Sequence, residues 1–322
     1  MTITDRFTIP STGDKIPILG FGSGTKWQHK KKGANGGPEK SHDAIDEDLI
    51  AALVQAIQHG FIHLDTAETY TTRRDVGIAI KRSGVPREKL WITDKYQPRA
   101  IGKDGLPRGP YASVVEALEF MQIEYIDLFL FHTEYLNSRY TLEQAWREME
   151  KLYEEGKVKN IGVSNHTVKR LKEIQKFAKV QPAVNQIEFH PYLQNQSTGI
   201  IEYAKKNGIL IEAYAPLAPI ARAPGGPLDK LLDDLAEKYG KTTSQILLKW
   251  VHKQGIVTIT TTSNEGRLDQ IQKVLSFDIS DEDQKAITDV GNSHFYRAFQ
   301  MSPLPTYDDQ LKKERGLPLD NQ

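Results

Sequence analysis

Short apolar runs alternate along the chain with longer segments of helical periodicity. Eight runs have the length and the β-branched or aromatic content of strands, and they lie at 18–22, 61–67, 90–96, 126–132, 159–165, 183–189, 209–215 and 257–263. Helix-like stretches such as 48–60, 111–122 and 142–156 separate them, and Gly156 marks a helix end. Eight strand–helix repeats predict an α/β fold, a closed (β/α)₈ TIM barrel.

The segments outside this repeat predict additions to the barrel. Residues 6–19 form two short alternating runs around a Ser-Thr-Gly-Asp turn, so we predict an N-terminal β-hairpin. The loops 28–43 and 99–110 are rich in Gly and Lys or Pro and predict solvated insertions. Residues 293–322 lack periodicity and predict a tail over the C-terminal ends of the strands. Since no linker divides the chain, we predict one domain over 1–322.

Composition and charge exclude several classes of function. The 322 residues include no cysteine, which excludes disulfides, thiolate metal sites and thiol catalysis. The 42 basic and 42 acidic side chains cancel, so no net field attracts a nucleic acid or an anionic membrane. The N-terminus lacks the apolar run of a signal peptide. We therefore expect a cytoplasmic protein, a monomer or weak homodimer, that acts on a small molecule.

Polar side chains collect at the predicted strand ends, where a (β/α)₈ barrel places its reactive groups. They are Asp65 and Tyr70, Lys95, His132, Ser164 and Asn165, Gln186, and Tyr214. Each of them alone has an ordinary structural explanation, such as a helix cap, a surface charge or a packed core histidine. Four complementary titratable groups on three neighbouring strand ends instead favour a catalytic site made of Asp65, Tyr70, Lys95 and His132.

These four residue types predict a proton donor. Asp65 would fix the ammonium group of Lys95, and that cation would lower the pKa of Tyr70 from its ordinary value of about 10. A tyrosine of this kind can act as a general acid. His132 would donate a hydrogen bond to a carbonyl oxygen and stabilise the charge that develops there.

The motifs at these positions resemble the aldo-keto reductase family over nearly the whole chain. They read HLDTAETY at 63–70, DVGIAIKRSGVPREKLWITDK at 75–95, IDLFLFH at 126–132, GKVKNIGVSNH at 156–166, NQIEFHPYLQ at 185–194 and TTTSNEGRL at 260–268. The resemblance implies an NADPH-dependent carbonyl reductase on a (β/α)₈ barrel. It implies that Tyr70 protonates the carbonyl oxygen, that Lys95 and Asp65 adjust the pKa of Tyr70, and that His132 orients the carbonyl group.

The resemblance also implies a set of cofactor-binding residues. Ser164, Asn165 and Gln186 would hold the nicotinamide carboxamide, and Tyr214 would stack on the ring. The remaining cofactor positions are Thr25, Leu217, Thr261, Thr262, Ser263 and Arg267. Thr261 stands where the family commonly has a lysine, while Arg267 keeps a cation for the 2′-phosphate. We expect NADPH to be preferred to NADH.

The substrate pocket departs from the common family pattern. Thr133 follows His132 where many relatives have tryptophan. In these details the chain most resembles the conjugated-polyketone and ketopantoyl-lactone reductases of yeasts, which implies adjacent-dicarbonyl substrates such as ketopantoyl lactone, isatins or α-keto esters. The predicted pocket residues are Trp27, Tyr70, His132, Thr133, Tyr135, Phe295 and Tyr296.

Other classes of function explain the sequence less well or remain open. A Rossmann-type dehydrogenase would need a third glycine where Thr25 stands. A metal site is disfavoured because Gly60 interrupts the spacing of His59 and His63. A regulatory subunit that binds the cofactor, similar to potassium-channel β subunits, and a general aldehyde reductase remain alternatives to the dicarbonyl reductase.

Overall fold

The computed structural model describes residues 5–28, 44–98, 106–301 and 303–319. Most of the two predicted loop insertions, at 29–43 and 99–105, lies outside the described residues. The predicted hairpin is present as β1 (Arg6–Thr8) and β2 (Lys15–Pro17), which pair antiparallel with Phe7 opposite Ile16.

Eight parallel strands close into a barrel, as the repeat predicts. They are β3 (Leu19–Gly22), β4 (His63–Asp65), β5 (Trp91–Tyr96), β6 (Leu128–Phe131), β7 (Ile161–Ser164), β8 (Val184–Glu188), β9 (Leu210–Tyr214) and β10 (Val257–Thr260). Neighbours in the chain are neighbours in the barrel, and β10 closes it against β3. The fold is thus the predicted (β/α)₈ barrel with an N-terminal hairpin.

Helices occupy the segments between the strands and continue after β10. They are α1 (Glu47–Gln58), α2 (Arg73–Ser83), α3 (Pro110–Met121), α4 (Leu142–Glu154), α5 (Val168–Gln175), α6 (Ile200–Lys206), α7 (Ala218–Ala221), α8 (Leu228–Tyr239), α9 (Thr243–His252), α10 (Gly266–Gln272), α11 (Asp281–Asn292) and α12 (Asp308–Glu314). Local sequence sets their ends: Thr141 and Gln144 form a capping box at α4, and Gly156 follows that helix with a φ of 70°. None of the described helices is long and apolar enough to cross a membrane.

The interior of the barrel is layered because alternate residues of each strand share one face. At the end that the hairpin covers, Ile9 and Ile16 pack with Trp91, Leu128 and Val184 in a wholly apolar cluster. Two residues further along the strands the interior becomes polar, with His63, Thr93, Gln186 and Glu212. Asp65, Lys95, His132 and Tyr214 follow at the C-terminal ends, so an apolar floor supports the polar site.

The C-terminal tail is more regular than the sequence predicts. A 3₁₀ turn at Leu304–Tyr307 leads into α12, although residues 293–322 show no periodicity. Helix α12 has seven residues, too few to display an amphipathic repeat. The tail folds back through Arg297, whose Nε donates to Asp308 at 2.8 Å and whose Nη2 donates to the Gln196 carbonyl at 3.0 Å.

Candidate active site

A cavity of about 390 Å³ opens at the C-terminal ends of the barrel strands. Ten of the residues predicted for the site line it: Thr25, Asp65, Tyr70, His132, Ser164, Asn165, Gln186, Tyr214, Leu217 and Thr261. Lys95 lies beneath the cavity and is fully buried. The structure therefore brings together the four predicted catalytic residues and most of the predicted cofactor residues.

Lys95 is held by two acceptors below Tyr70. Its ammonium group donates to Asp65 Oδ1 at 2.6 Å and to the carbonyl oxygen of Thr66 at 2.9 Å. The same Nζ atom lies 4.9 Å from the centroid of the Tyr70 ring. Burial disfavours the ammonium, but the Coulombic attraction of the Asp65 carboxylate and its hydrogen bond outweigh this effect and raise the pKa of Lys95, so the ammonium stays charged.

The expected lowering of the Tyr70 pKa is wrong for this structure. Burial opposes the tyrosinate most strongly, and although Lys95 favours it, the balance raises the pKa of Tyr70 above its ordinary value. The nearby Asp65 carboxylate raises it further. Tyr70 therefore keeps its proton at neutral pH and lies beside the charged Lys95 ammonium.

Glycine and histidine fix the position of the Tyr70 ring. A Cβ atom on Gly24 would lie 2.7 Å from Cε2 of Tyr70, so only glycine lets the segment after β3 approach the ring this closely. On another side His132 meets the ring edge-to-face, with centroids 5.6 Å apart. The phenol is thus confined between Gly24, Lys95 and His132.

A second polar cluster surrounds Asn165 at the end of β7. Asn165 Nδ2 donates to the His132 carbonyl and to Ser164 Oγ, both at 3.0 Å. Its Oδ1 atom accepts from Gln196 Nε2 at 2.9 Å and from the Tyr214 hydroxyl at 2.8 Å. Gln196, which the sequence did not single out, therefore ties the Asn165 amide to the Tyr214 ring.

Gln186 connects this face to the polar interior of the barrel. Its Nε2 atom donates to Asp65 Oδ2 and to Glu212 Oε2, each at 2.9 Å. Two carboxyl acceptors on one side of the amide leave Oε1 as the polar atom of Gln186 that a ligand in the cavity can reach. Glu212 is a buried residue of β9 that the sequence analysis also missed.

Three residues of the cavity adopt left-handed backbone conformations that non-glycine residues rarely tolerate. The φ angles are 47° at Thr25, 61° at Asn165 and 54° at Ala215, and all three residues line the cavity. Each such residue costs about 1 kcal/mol or more. Strain of this kind concentrates where a fold positions groups for a ligand.

The tail closes one side of the cavity through Phe299 and Met301. Glu188 at the end of β8 accepts from the amides of Ala298 at 2.6 Å and Phe299 at 3.1 Å. The Phe299 ring then packs edge-to-face on Tyr214, with centroids 5.4 Å apart. The tail thus reaches the cavity as expected, but through residues that the sequence did not identify.

Several residues predicted for the substrate pocket do not line this cavity. Trp27 is buried, and its indole nitrogen donates to Thr261 Oγ1 at 3.1 Å. Phe295 packs under Lys312 and Arg315, while the amide of Tyr296 donates to the Tyr192 carbonyl. Contacts with the tail for Phe295, and with Tyr192 and His190 for Tyr296, hold these two residues away from the cavity. Thr133 and Tyr135 follow His132 but do not line the cavity either.

Part of the predicted phosphate site lies outside the cavity as well. Ser263 and Arg267 are exposed, and Arg267 lies in the first turn of α10. Thr262 is buried, and its hydroxyl accepts from the amide of Asn264 at 3.0 Å. Arg222, an exposed cation that the sequence analysis passed over, does line the cavity and stacks on Phe299.

One signal in the sequence could have found Glu212, whereas none marks the tail residues. Glu212 and Tyr214 occupy alternate positions of the run ILIEAYA, so both face the barrel interior. Gln196, Phe299 and Met301 lie in irregular segments without a period. No group of three His, Asp or Glu side chains that could hold a metal ion occurs among the described residues.

Comparisons with known proteins agree with the fold. The aldo/keto reductase family model matches residues 32–292. An NADPH-dependent alpha-keto amide reductase of Saccharomyces cerevisiae is 38% identical over 97% of this chain and 96% of its own length. An NAD/NADP-dependent indole-3-acetaldehyde reductase of Schizosaccharomyces pombe is 33% identical over 90% and 97%.

Solved structures give the same result. A Bombyx mori aldo-keto reductase in complex with NADP superposes with a TM-score of 0.76 at 26% identity, covering 92% of this chain and 95% of the other. A deep-sea metagenome aldo-keto reductase superposes with a TM-score of 0.73 at 31% identity, covering 90% and 97%. Sequence motifs, barrel topology and all three comparisons converge, and the chain belongs to the aldo/keto reductase family of oxidoreductases.

Proposed function

We propose that the protein is an NADPH-dependent carbonyl reductase in which Tyr70 is the proton donor. The observation that carries the proposal is the position of Tyr70 in the cavity wall, above a charged Lys95 and against His132. Reduction adds a hydride to the carbonyl carbon and a proton to its oxygen. The proton leaves the Tyr70 hydroxyl, and the resulting tyrosinate is stabilised by Lys95.

The residues around Asn165 and Gln186 fit a nicotinamide carboxamide. Gln186 Oε1 and the second lone pair of Ser164 Oγ can accept from the carboxamide nitrogen. Both hydrogens of Asn165 Nδ2 are already bonded, so this amide would exchange its bond to Ser164 for one to the carboxamide oxygen. Tyr214 offers a ring in the same wall. NADPH, when bound, supplies the hydride.

We further propose adjacent-dicarbonyl substrates, such as ketopantoyl lactone, isatin or an α-keto ester. A second carbonyl withdraws electrons from the first and favours hydride addition. The name of the Saccharomyces cerevisiae relative, an alpha-keto amide reductase, denotes the same arrangement of two carbonyl groups. Gln97 also lines the cavity and provides an amide that a second carbonyl oxygen can meet.

A substrate panel tests this function. We expect NADPH oxidation, followed by absorbance, to give a higher kcat/KM with ketopantoyl lactone, isatin and an α-keto ester than with simple aldehydes. Chiral analysis of each product would give the face of attack. Preference for simple aldehydes over every dicarbonyl would make the protein a general aldehyde reductase. Absence of turnover with any carbonyl compound would contradict the reductase and favour a cofactor-binding regulatory subunit.

Cofactor selectivity is expected to depend on Arg267. The variant Arg267→Ala should lower kcat/KM for NADPH by about 10- to 100-fold, the worth of a hydrogen bond to a charged group, and leave that for NADH unchanged. Steady-state kinetics with both cofactors measure this. Lys273→Ala, a charge loss just after the other end of α10, is the matched control. An equal loss with both cofactors would contradict a contact to the 2′-phosphate.

A further inference from the structure

A second carboxyl group lies in the barrel interior close to the proposed proton donor. Glu212 is fully buried and shares the Nε2 atom of Gln186 with Asp65, the partner of Lys95. The other atom of its carboxyl group, Oε1, lies 3.5 Å from His63 Nε2 and has no hydrogen bond in the described structure. The mechanism proposed above assigns no role to Glu212.

The charges that face this layer do not balance if both carboxyl groups are ionised. From β4 it is faced by His63 and Asp65, from β5 by Lys95, and from above by Tyr70, while β3 and β10 carry no titratable side chain. Glu188 of β8 lies two residues further along the barrel, where its carboxylate is bonded to His190 and to the amides of Ala298 and Phe299. Burial lowers the pKa of His63 to about 3, so His63 is neutral. Lys95 is then the one cation among these described groups for two carboxyl groups.

Physical chemistry places the missing proton on Glu212. Asp65 has a direct contact with the Lys95 ammonium, whereas Glu212 reaches that network only through a neutral amide. Burial first, and repulsion by Asp65 second, raise the pKa of Glu212 to about 8. Glu212 is thus neutral at pH 7 and becomes an anion at mildly alkaline pH.

We propose that Glu212 is a positioning residue of the proton-donor site, which acts through Gln186 and Asp65 and weakens proton donation by Tyr70 when it loses its own proton. The inference rests on the proposed function of Tyr70. As Tyr70 gives up its proton, a tyrosinate forms beside Lys95 and Asp65. An ionised Glu212 adds another buried negative charge to the same network, and the tyrosinate then costs more free energy to form.

The pH dependence of kcat tests the inference with Glu212→Gln, which keeps an acceptor for Gln186 but cannot ionise. We expect wild-type kcat for reduction to fall through an apparent pKa of about 8. The variant should keep its kcat at neutral pH, and the fall of its kcat at alkaline pH should begin about one pH unit or more higher than in the wild type. The control is Glu150→Gln, a buried glutamate of α4 outside the barrel interior, which should leave the profile unchanged.

Two measurements on the protein without cofactor give an independent test. Infrared titration should show a protonated carboxyl group that disappears near pH 8 in the wild type and is absent from Glu212→Gln. Because the native pKa of Glu212 lies above its ordinary value of 4.5, the native state holds a proton that the unfolded chain releases. The free energy of unfolding of the wild type, minus that of Glu212→Gln, should therefore decrease between about pH 4.5 and pH 8 and stay constant above pH 8.

The possible results separate this inference from the proposed function. If Glu212→Gln and the wild type have superimposable kcat profiles, or if the wild type loses no carboxyl proton near pH 8, the role of Glu212 is excluded. The infrared arm needs only the wild-type protein, so it decides even if the variant folds poorly. Full turnover in a Tyr70→Phe variant would instead remove the proton donor itself, whatever Glu212 does.

Discussion

Replacing Tyr70 with Phe is expected to lower kcat for carbonyl reduction by about 10²- to 10⁴-fold, the usual contribution of a positioned general acid. The change removes only the hydroxyl group. The ring should keep its position, because its contacts with Gly24 and His132 involve the ring itself. NADPH affinity, measured by fluorescence titration, should therefore stay near the wild-type value while single-turnover reduction slows.

Tyr96→Phe is the matched control for this loss. Tyr96 is another buried tyrosine at the end of β5, and its hydroxyl donates to the Arg108 carbonyl at 2.6 Å without lining the cavity. That variant should lose some stability and keep most of its kcat. Undiminished turnover in Tyr70→Phe, or an equal loss of kcat in both variants, would contradict the assignment of Tyr70 as the proton donor.

The sequence predicts the barrel and the inner part of the site because strand geometry repeats every two residues. In WITDKY the alternation puts Trp91, Thr93 and Lys95 on the interior face, and Asp94 on the opposite face. The structure pairs Asp94 with Arg73 of α2, outside the barrel interior. The alternation along a strand therefore predicts which of its side chains face the barrel interior. It does not predict the distances between those side chains and their neighbours.

The outer part of the site and the sign of the Tyr70 pKa shift could not be predicted in this way. Phe299 reaches the cavity because Glu188, more than a hundred positions earlier, accepts its amide. No local pattern encodes such a contact. The Tyr70 pKa depends on the balance between desolvation and the charge of Lys95, and the degree of burial that decides this balance emerges only from the packed barrel.

The second large effect is expected from Lys95→Met, which should destabilise the fold by about 3–5 kcal/mol at neutral pH. The substitution preserves most of the side-chain volume but leaves the Asp65 carboxylate buried without its cation. Urea unfolding at pH 7 measures the loss. Without the Lys95 cation the pKa of Asp65 rises further above its ordinary value than burial already raises it in the wild type. Asp65 would therefore take up a proton, which relieves part of the destabilisation.

That proton uptake gives the prediction a definite pH dependence. The unfolded Lys95→Met chain releases the Asp65 proton near pH 4, whereas the native variant holds it, so the variant's deficit should grow as the pH rises above about 4 and shrink below it. Asp65→Asn in the Lys95→Met background removes the unpaired charge and should restore much of the stability. Strict additivity of the two substitutions would show that the charges of Asp65 and Lys95 do not stabilise each other, and the tyrosinate would then need another counter-charge.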